Sequence, residues 1–159
     1  MDADFTLEKV GLDVWAAIAT DTGRAGGNAG FVIGEDGIAV IDTFEYPDAA
    51  QALLVEIRKI SSLPIRYVVN THYHLDHVNG NAVFANVGAM VIAQRNMRGW
   101  MRTENLKWWG DAIKPEDKAR VQSLKLPDIV YDDRVDLFLG SRRLEVSFLS
   151  RSHRGETRC

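Results

Sequence analysis

Three of the four histidines in this 159-residue chain fall within the heptapeptide THYHLDH, residues 71–77, and the fourth, His153, lies near the C-terminus. Imidazole nitrogens and carboxylate oxygens are donors that zinc takes at about 2.0 to 2.2 Å, and two-metal sites hold their ions about 3.5 to 4 Å apart. His72 and His74 are two residues apart. In an extended segment both rings point to one side, whereas on a helix they diverge by about 200°. An extended conformation is therefore expected, with both imidazoles offered to one ion. Asp76 and His77 follow directly, and a turn there would present a carboxylate and a third imidazole to a second ion. One histidine in a polar loop usually satisfies a local hydrogen bond. Four donors in this pattern, just after an apolar strand, point instead to a site.

The residues before the cluster read as strand, helix, strand. Phe31, Val32 and Ile33 precede the turn Gly34-Glu35-Asp36-Gly37, and Ile38 to Ile41 follow it, which predicts a β-hairpin. The glycines of GRAGGNAG match neither GxxxxGK[ST] nor GxGxxG and are read as turns and strand entry. From Pro47 the apolar period becomes helical, with Ala50, Leu53, Leu54, Ile57 and Ile60 on one face and Pro64 closing the connection. Ile65 to Val69 predicts a strand, so the histidines begin just beyond a strand's carboxyl end, where α/β proteins usually place ligands. Further on, Ala82 to Ala85 predicts a short helix and Met90 to Ala93 a strand. Met97 to about Ile113 predicts one or two helices, and Val135–Leu139 and Leu144–Leu149 two more strands.

The stretch RNMRGWMRTENLKWWGD carries Trp100, Trp108 and Trp109. Met97, Trp100 and Met101 have the i, i+3, i+4 spacing of a buried helix face, so packing is the favoured reading. The other reading is an apolar wall or lid over a substrate entrance, with Arg98 or Arg102 drawing an anionic group.

Composition excludes several classes. With 46% hydrophobic and 26% charged residues the chain reads as one globular domain, and a net charge of −3 without a Lys/Arg block gives no footprint for nucleic acid. No apolar run approaches the roughly 18 to 20 residues that cross a bilayer, so no membrane partner is expected. The start, MDADFTLEKV, lacks the basic and apolar regions of a signal peptide, and a cytoplasmic location is expected. The lone cysteine, Cys159, is the last residue and supports no internal disulfide, thiolate zinc cluster or Cys-His nucleophile pair. The expected partner is a small-molecule substrate; oligomeric state is not legible.

THYHLDH matches the HxHxDH signature and thereby resembles the metallo-β-lactamase-fold superfamily, which includes β-lactamases, glyoxalase-II-like thioesterases, lactonases, nucleases and flavodiiron oxidoreductases. GGNAGFVIGEDGIAVIDTF resembles the family's opening hairpin, whose second strand ends in aspartate, here Asp42. The helix at 47–60, the strand at Val68-Val69 and NGNAVF follow the family order, with Asn79 where many members have the first of two glycines. The resemblance implies an α/β (α+β) fold in which residues 1–149 form the N-terminal part of a four-layer αββα sandwich. It implies a dinuclear site, zinc (Zn2+) first and iron or manganese as other occupants, with His72 and His74 on one ion and Asp76 and His77 on the other. Asp42 becomes either an orienting carboxylate behind the ligands or a structural strand-end carboxylate. The implied reaction is hydrolysis of an ester, thioester, lactone or lactam by a metal-bound hydroxide, with Asp76 orienting it and accepting its proton. The alternatives are a catalytically inactive truncated fragment that binds metal weakly, and an iron-bearing oxidoreductase relative.

Family members complete the site with a histidine in a Gly-His-Thr-like turn, a bridging aspartate and a last histidine. Here the chain closes with SRSHRGETRC, residues 150–159, read as a polar tail. His153 falls near the third-ligand position, but Ser152 and Arg154 flank it in place of Gly and Thr. The codons CGG TCA CAC CGG GGN, allowed for Arg151 to Gly155, read Gly-His-Thr-Gly from the second base. The tail is therefore expected to be out of frame, His153 to be a product of that shift, and this chain to show little turnover.

Overall fold

Alternation of apolar residues on two faces of the central strands governs the architecture. In the computed structural model, which describes residues 3–149, one sheet holds seven strands in chain order: β1 (Phe5–Gly11), β2 (Val14–Ala19), β3 (Ala29–Ile33), β4 (Ile38–Ile41), β5 (Ile65–Val69), β6 (Met90–Gln94) and β7 (Ile129–Tyr131). Neighbours from β1 to β4 are antiparallel and those from β4 to β7 parallel. A second sheet is the hairpin of β8 (Arg134–Leu139) and β9 (Arg142–Ser147). The helices are α1 (Pro47–Ile60), α2 (Leu75–Val78), α3 (Asn81–Ala85), α4 (Arg95–Trp109) and α5 (Pro115–Gln122).

Helix α1 forms because Pro47 supplies a preset φ in its first turn, Asp48 lies near its N-terminus and Arg58 and Lys59 near its C-terminus, each complementing the macrodipole. It buries Ala49, Ala50, Leu53, Leu54 and Ile57 against Phe31, Ile38, Val40, Val68 and Val91, while Ile60 at its last turn stays partly exposed. The residues between these on the same strands point the other way: Tyr67, Val69 and Ile92 pack against Val135, Leu137, Leu144 and Val146 of the hairpin. The described layers are thus helix, sheet and sheet, three of the four expected of an αββα sandwich. Glu35, in the β3–β4 turn, fastens the hairpin by accepting from Ser141 N–H at 2.8 Å and Ser141 Oγ at 2.6 Å.

The expected hairpin, α1, β5, α3 and β6 all form as read. Strand β9 occupies Arg142–Ser147 instead of Leu144–Leu149, because a tight turn with Gly140 at φ 68° pairs Leu139 with Arg142 and sets the register from there. The β1–β2 hairpin falls in the β-rich first third of the chain, whereas α2, α5 and β7 carry no clear period; α5 buries only Val121. Among the described residues no helix is long and apolar enough to cross a membrane. Because β4, β5 and β6 are parallel, their carboxyl ends share one edge, which carries Asp42, Thr71 and the N-terminus of α4.

Candidate metal centre

Asp42 follows β4 in the left-handed region, at φ 57°, and is only 4% exposed. Aspartate tolerates that conformation better than most residues, and here its carboxylate is pinned on both oxygens. Oδ1 accepts from the Thr71 N–H at 2.8 Å; Oδ2 accepts from Thr71 Oγ1 at 2.6 Å and faces His77 Nδ1 at 2.8 Å. Behind this contact lies a closed buried network. Asn70 and Asn81 exchange amide hydrogen bonds at 2.9 and 2.8 Å, and Thr43 Oγ1 donates to Asn81 Oδ1 at 2.9 Å. The Thr43 N–H donates to the His77 carbonyl at 2.9 Å. Each strand end is thereby joined to the histidine segment by part-buried bonds, with the Thr43, Asn70 and Asn81 network buried behind them.

The histidine segment does not continue β5 as an extended strand. Thr71, His72 and Tyr73 form bends, and His74, at φ −61° and ψ 147°, caps the single-turn helix α2. The strand-like geometry expected for 71–74 gives way because Asp42 draws Thr71 back over the end of β4 and because Leu75 and Val78 turn inward to the core formed with Met97 and Met101. The rings come close by another route. The ring centroids of His72 and His74 lie 4.8 Å apart, nearly perpendicular, and those of His72 and His77 lie 4.0 Å apart. His77 Nε2 lies 3.0 Å from Asp76 Oδ2. Donor atoms of Asp42, His72 and His77 all fall within 4.8 Å of one another, so the structure groups Asp42 with the ligand candidates and sets His74 and Asp76 against that group.

The electrostatics fit a cation. Burial pulls the His77 pKa down, but bonds to Asp42 and Asp76 and their charges outweigh it and raise the value to about 9. Burial, and then the charge of His77, depress His72 to about 4, leaving a neutral imidazole able to donate a lone pair. Burial opposes ionisation of Asp76, yet the bond from His77 and its charge keep that carboxyl below its usual range. The His77 imidazolium itself supplies the positive charge between Asp42 and Asp76, so a bound ion would take the place of its Nε2 proton, and Nδ1 on a carboxylate is the arrangement that commonly orients a metal-ligating imidazole.

Sequence reasoning read Gly26 and Gly27 only as turn residues. A Cβ on Gly27 would stand 2.9 Å from Asp76 Oδ2, from the Asp76 carbonyl and from His77 Nε2. Gly27→Ala is accordingly expected to weaken zinc binding roughly 10-fold or more while leaving the far-ultraviolet circular dichroism unchanged, since it intrudes on donors and not on the core. Isothermal titration with zinc checks this; wild-type affinity would show that the donors do not need the space. The Asn79 departure is benign, because Asn79 is helical at φ −71° and its Nδ2 donates to the Glu45 carbonyl.

The tryptophan stretch divides. Met97 and Met101 are buried as expected, but Trp100 is half exposed and packs edge-on against Tyr73, and Trp108 is 76% exposed. Arg98 and Arg102 donate to the carbonyls of Pro127 and Leu124 and so tie α4 to the following loop. Trp108 and Trp109 line a cleft of about 330 Å³ with Glu45, His74, Asp76 and Asn105. Residues 150–159, and His153 with them, lie outside the described residues.

The family model of the metallo-beta-lactamase superfamily matches residues 22–148. The chain belongs to that superfamily. A metallo-beta-lactamase from Pontibacter korlensis shares the fold, with a TM-score of 0.68 and 22% identity over 91% of this chain and 60% of that one. The metallo-beta-lactamase FIM-1 from Pseudomonas aeruginosa, in its mono-zinc form, gives 0.60 and 18% over 83% of this chain and 52% of that one. A linear primary-alkylsulfatase from a Pseudomonas species is 43% identical over 51 residues, 32% of this chain and 10% of that protein. This superfamily member thus spans only part of the length of each relative.

Proposed function

We propose that the chain carries the donors of a divalent-metal hydrolase centre, with His72, His74, Asp76 and His77 as ligands and Asp42 orienting His77. What supports this best is the mutual contact of the four: the His72 ring lies 4.8 Å from that of His74 and 4.0 Å from that of His77, His77 Nε2 lies 3.0 Å from Asp76 Oδ2, and Asp42 stands behind His77 at 2.8 Å from Nδ1. Zinc is the first choice because the donors are nitrogen and oxygen, and iron or manganese accept the same set. Bound zinc supplies water of pKa about 7 in place of 15.7 and polarises the scissile group.

The chain's own residues do the rest. Asp42 holds His77 Nδ1, which fixes the ring and leaves Nε2 turned toward Asp76. Asp76, with Oδ2 3.0 Å from His77 Nε2, is placed to accept a proton from the attacking water. The cleft beside His74 and Asp76 seats the substrate. The substrates are small molecules with an ester, thioester, lactone or lactam bond, and the alkylsulfatase relative adds sulfate esters to the classes to be tried.

Zinc titration of the dialysed protein tests the reading. His72→Ala and His74→Ala are each expected to lower affinity about 100-fold or more, since each deletes a donor whose outer partners alone are worth 10- to 100-fold. Unchanged affinity in both variants would refute the assignment. Metal bound without hydrolysis of any ester, thioester, lactone, lactam or alkyl sulfate would leave the second reading, a metal-binding fold without turnover.

A further inference from the structure

We infer that the cleft beside His74 selects an uncharged apolar group of the substrate, seated against Trp108 and Trp109; the inference rests on the hydrolase reading above. Helix α4 is anchored at Met101, fully buried, and at Asn105, whose Nδ2 donates at 2.7 Å to both the Tyr73 and the Met101 carbonyls. Tyr73 lies between His72 and His74, so the last turns of α4 hold a fixed position relative to the donors. On that rigid end Trp108 is left 76% exposed, although the other large apolar residues of the helix face inward or onto Tyr73. An indole offers about 150 to 250 Å² of surface, and a rigid aromatic wall at the mouth of a polar site is how small-molecule pockets commonly gain affinity.

Charge narrows the choice. The carboxylates Glu45 and Asp76 line this cleft, and no lysine or arginine does among the described residues. Arg120 approaches Glu45 only at 3.9 Å, and Lys107 is paired with Glu104 at 2.7 Å. A second depression of about 230 Å³, lined by Tyr73, Glu104 and Lys107, shares His74, Asn105 and Trp108 with the first. An aryl or alkyl group therefore finds Trp108 between two hollows, while an anionic group in the first meets the Glu45 carboxylate.

Hexanamide and hexanoate, equal in length and differing in charge, are the probes. With the full chain before zinc is added, so that no ion can take up the carboxylate, hexanamide is expected to shift the indole N–H resonances of Trp108 and Trp109 saturably, and hexanoate to bind at least about 5-fold more weakly. Trp108→Ala should weaken hexanamide at least about 5-fold, while Trp100→Ala, on the same helix but outside the cleft, should not. Hexanoate binding equally well, absence of shifts at both indoles, or equal losses in the two variants would each overturn the inference. Zinc binding in the same sample separates the two claims. Zinc bound without a hexanamide response defeats the cleft assignment alone, and no zinc binding defeats the hydrolase reading on which it rests.

Discussion

Asp42→Ala is expected to destabilise the protein by roughly 3 to 5 kcal/mol and to remove tight zinc binding, because one buried carboxylate serves three donors. The substitution orphans the Thr71 N–H, the Thr71 hydroxyl and His77 Nδ1 together. An unsatisfied buried donor costs about 1 to 3 kcal/mol, and stripping the partner from a buried charged pair about 3 to 5, though these do not add. Alanine also fits the φ of 57° at this position less well than aspartate. Domain stabilities lie near 5 to 15 kcal/mol, so a large share of the folded state's margin hangs on this side chain. Asp42→Asn separates the effects. The amide keeps the left-handed tolerance and an oxygen for Thr71, but removes the negative charge that orients His77. It should recover part of the stability and little of the zinc affinity. Urea denaturation and zinc titration of both variants check this; an alanine variant within about 1 kcal/mol of wild type would show that Asp42 is not the tether.

What could be read from residues alone follows from where burial imposes a period. Phe31, Ile38, Val40 and Val68 share one buried face with α1, so hairpin, helix and strand all announced themselves. That the histidines lie together was legible for a different reason: six positions of chain hold all three, and the His72 ring stands 4.8 Å from that of His74 and 4.0 Å from that of His77. The path of the backbone was not legible: the bend at Thr71 depends on Asp42, 29 residues earlier, meeting it across parallel strands. The same holds for Thr43, Asn70 and Asn81. Short polar residues look like turn formers in sequence, and only the register of β4 and β5 turns them inward to one another. Trp108 failed for lack of a decisive period. Apolar character says that a side chain prefers burial, and the end of a helix whose anchor is Met101 leaves it outside all the same.

Gly80→Ala is the counterpart on the packing side and should cost about 3 kcal/mol. Gly80 sits at φ −85° and ψ 1°, which alanine adopts readily, so the cost is steric and not conformational. A Cβ there would lie 2.1 Å from the Thr43 carbonyl oxygen and 2.4 Å from Ala50 Cβ. Neither neighbour yields easily. Thr43 is bonded through its N–H to the His77 carbonyl at 2.9 Å, and Ala50 is fully buried on α1. Relief requires α3 to move away from α1, which pulls Asn81 out of its bonds to Thr43 and Asn70 and carries the disturbance to the strand ends that hold Asp42 and His77. Stability and zinc affinity should therefore fall together, unlike in Gly27→Ala, where affinity falls alone. Gly99→Ala provides the control: Gly99 lies within α4 with nothing within 4 Å of an added Cβ, so it should gain about 0.5 to 1 kcal/mol. Urea midpoints with unchanged slopes decide the matter. If Gly80→Ala unfolds at the wild-type midpoint, the contact between α1 and the histidine segment is looser than the geometry requires, and the coupling of packing to the metal centre fails with it.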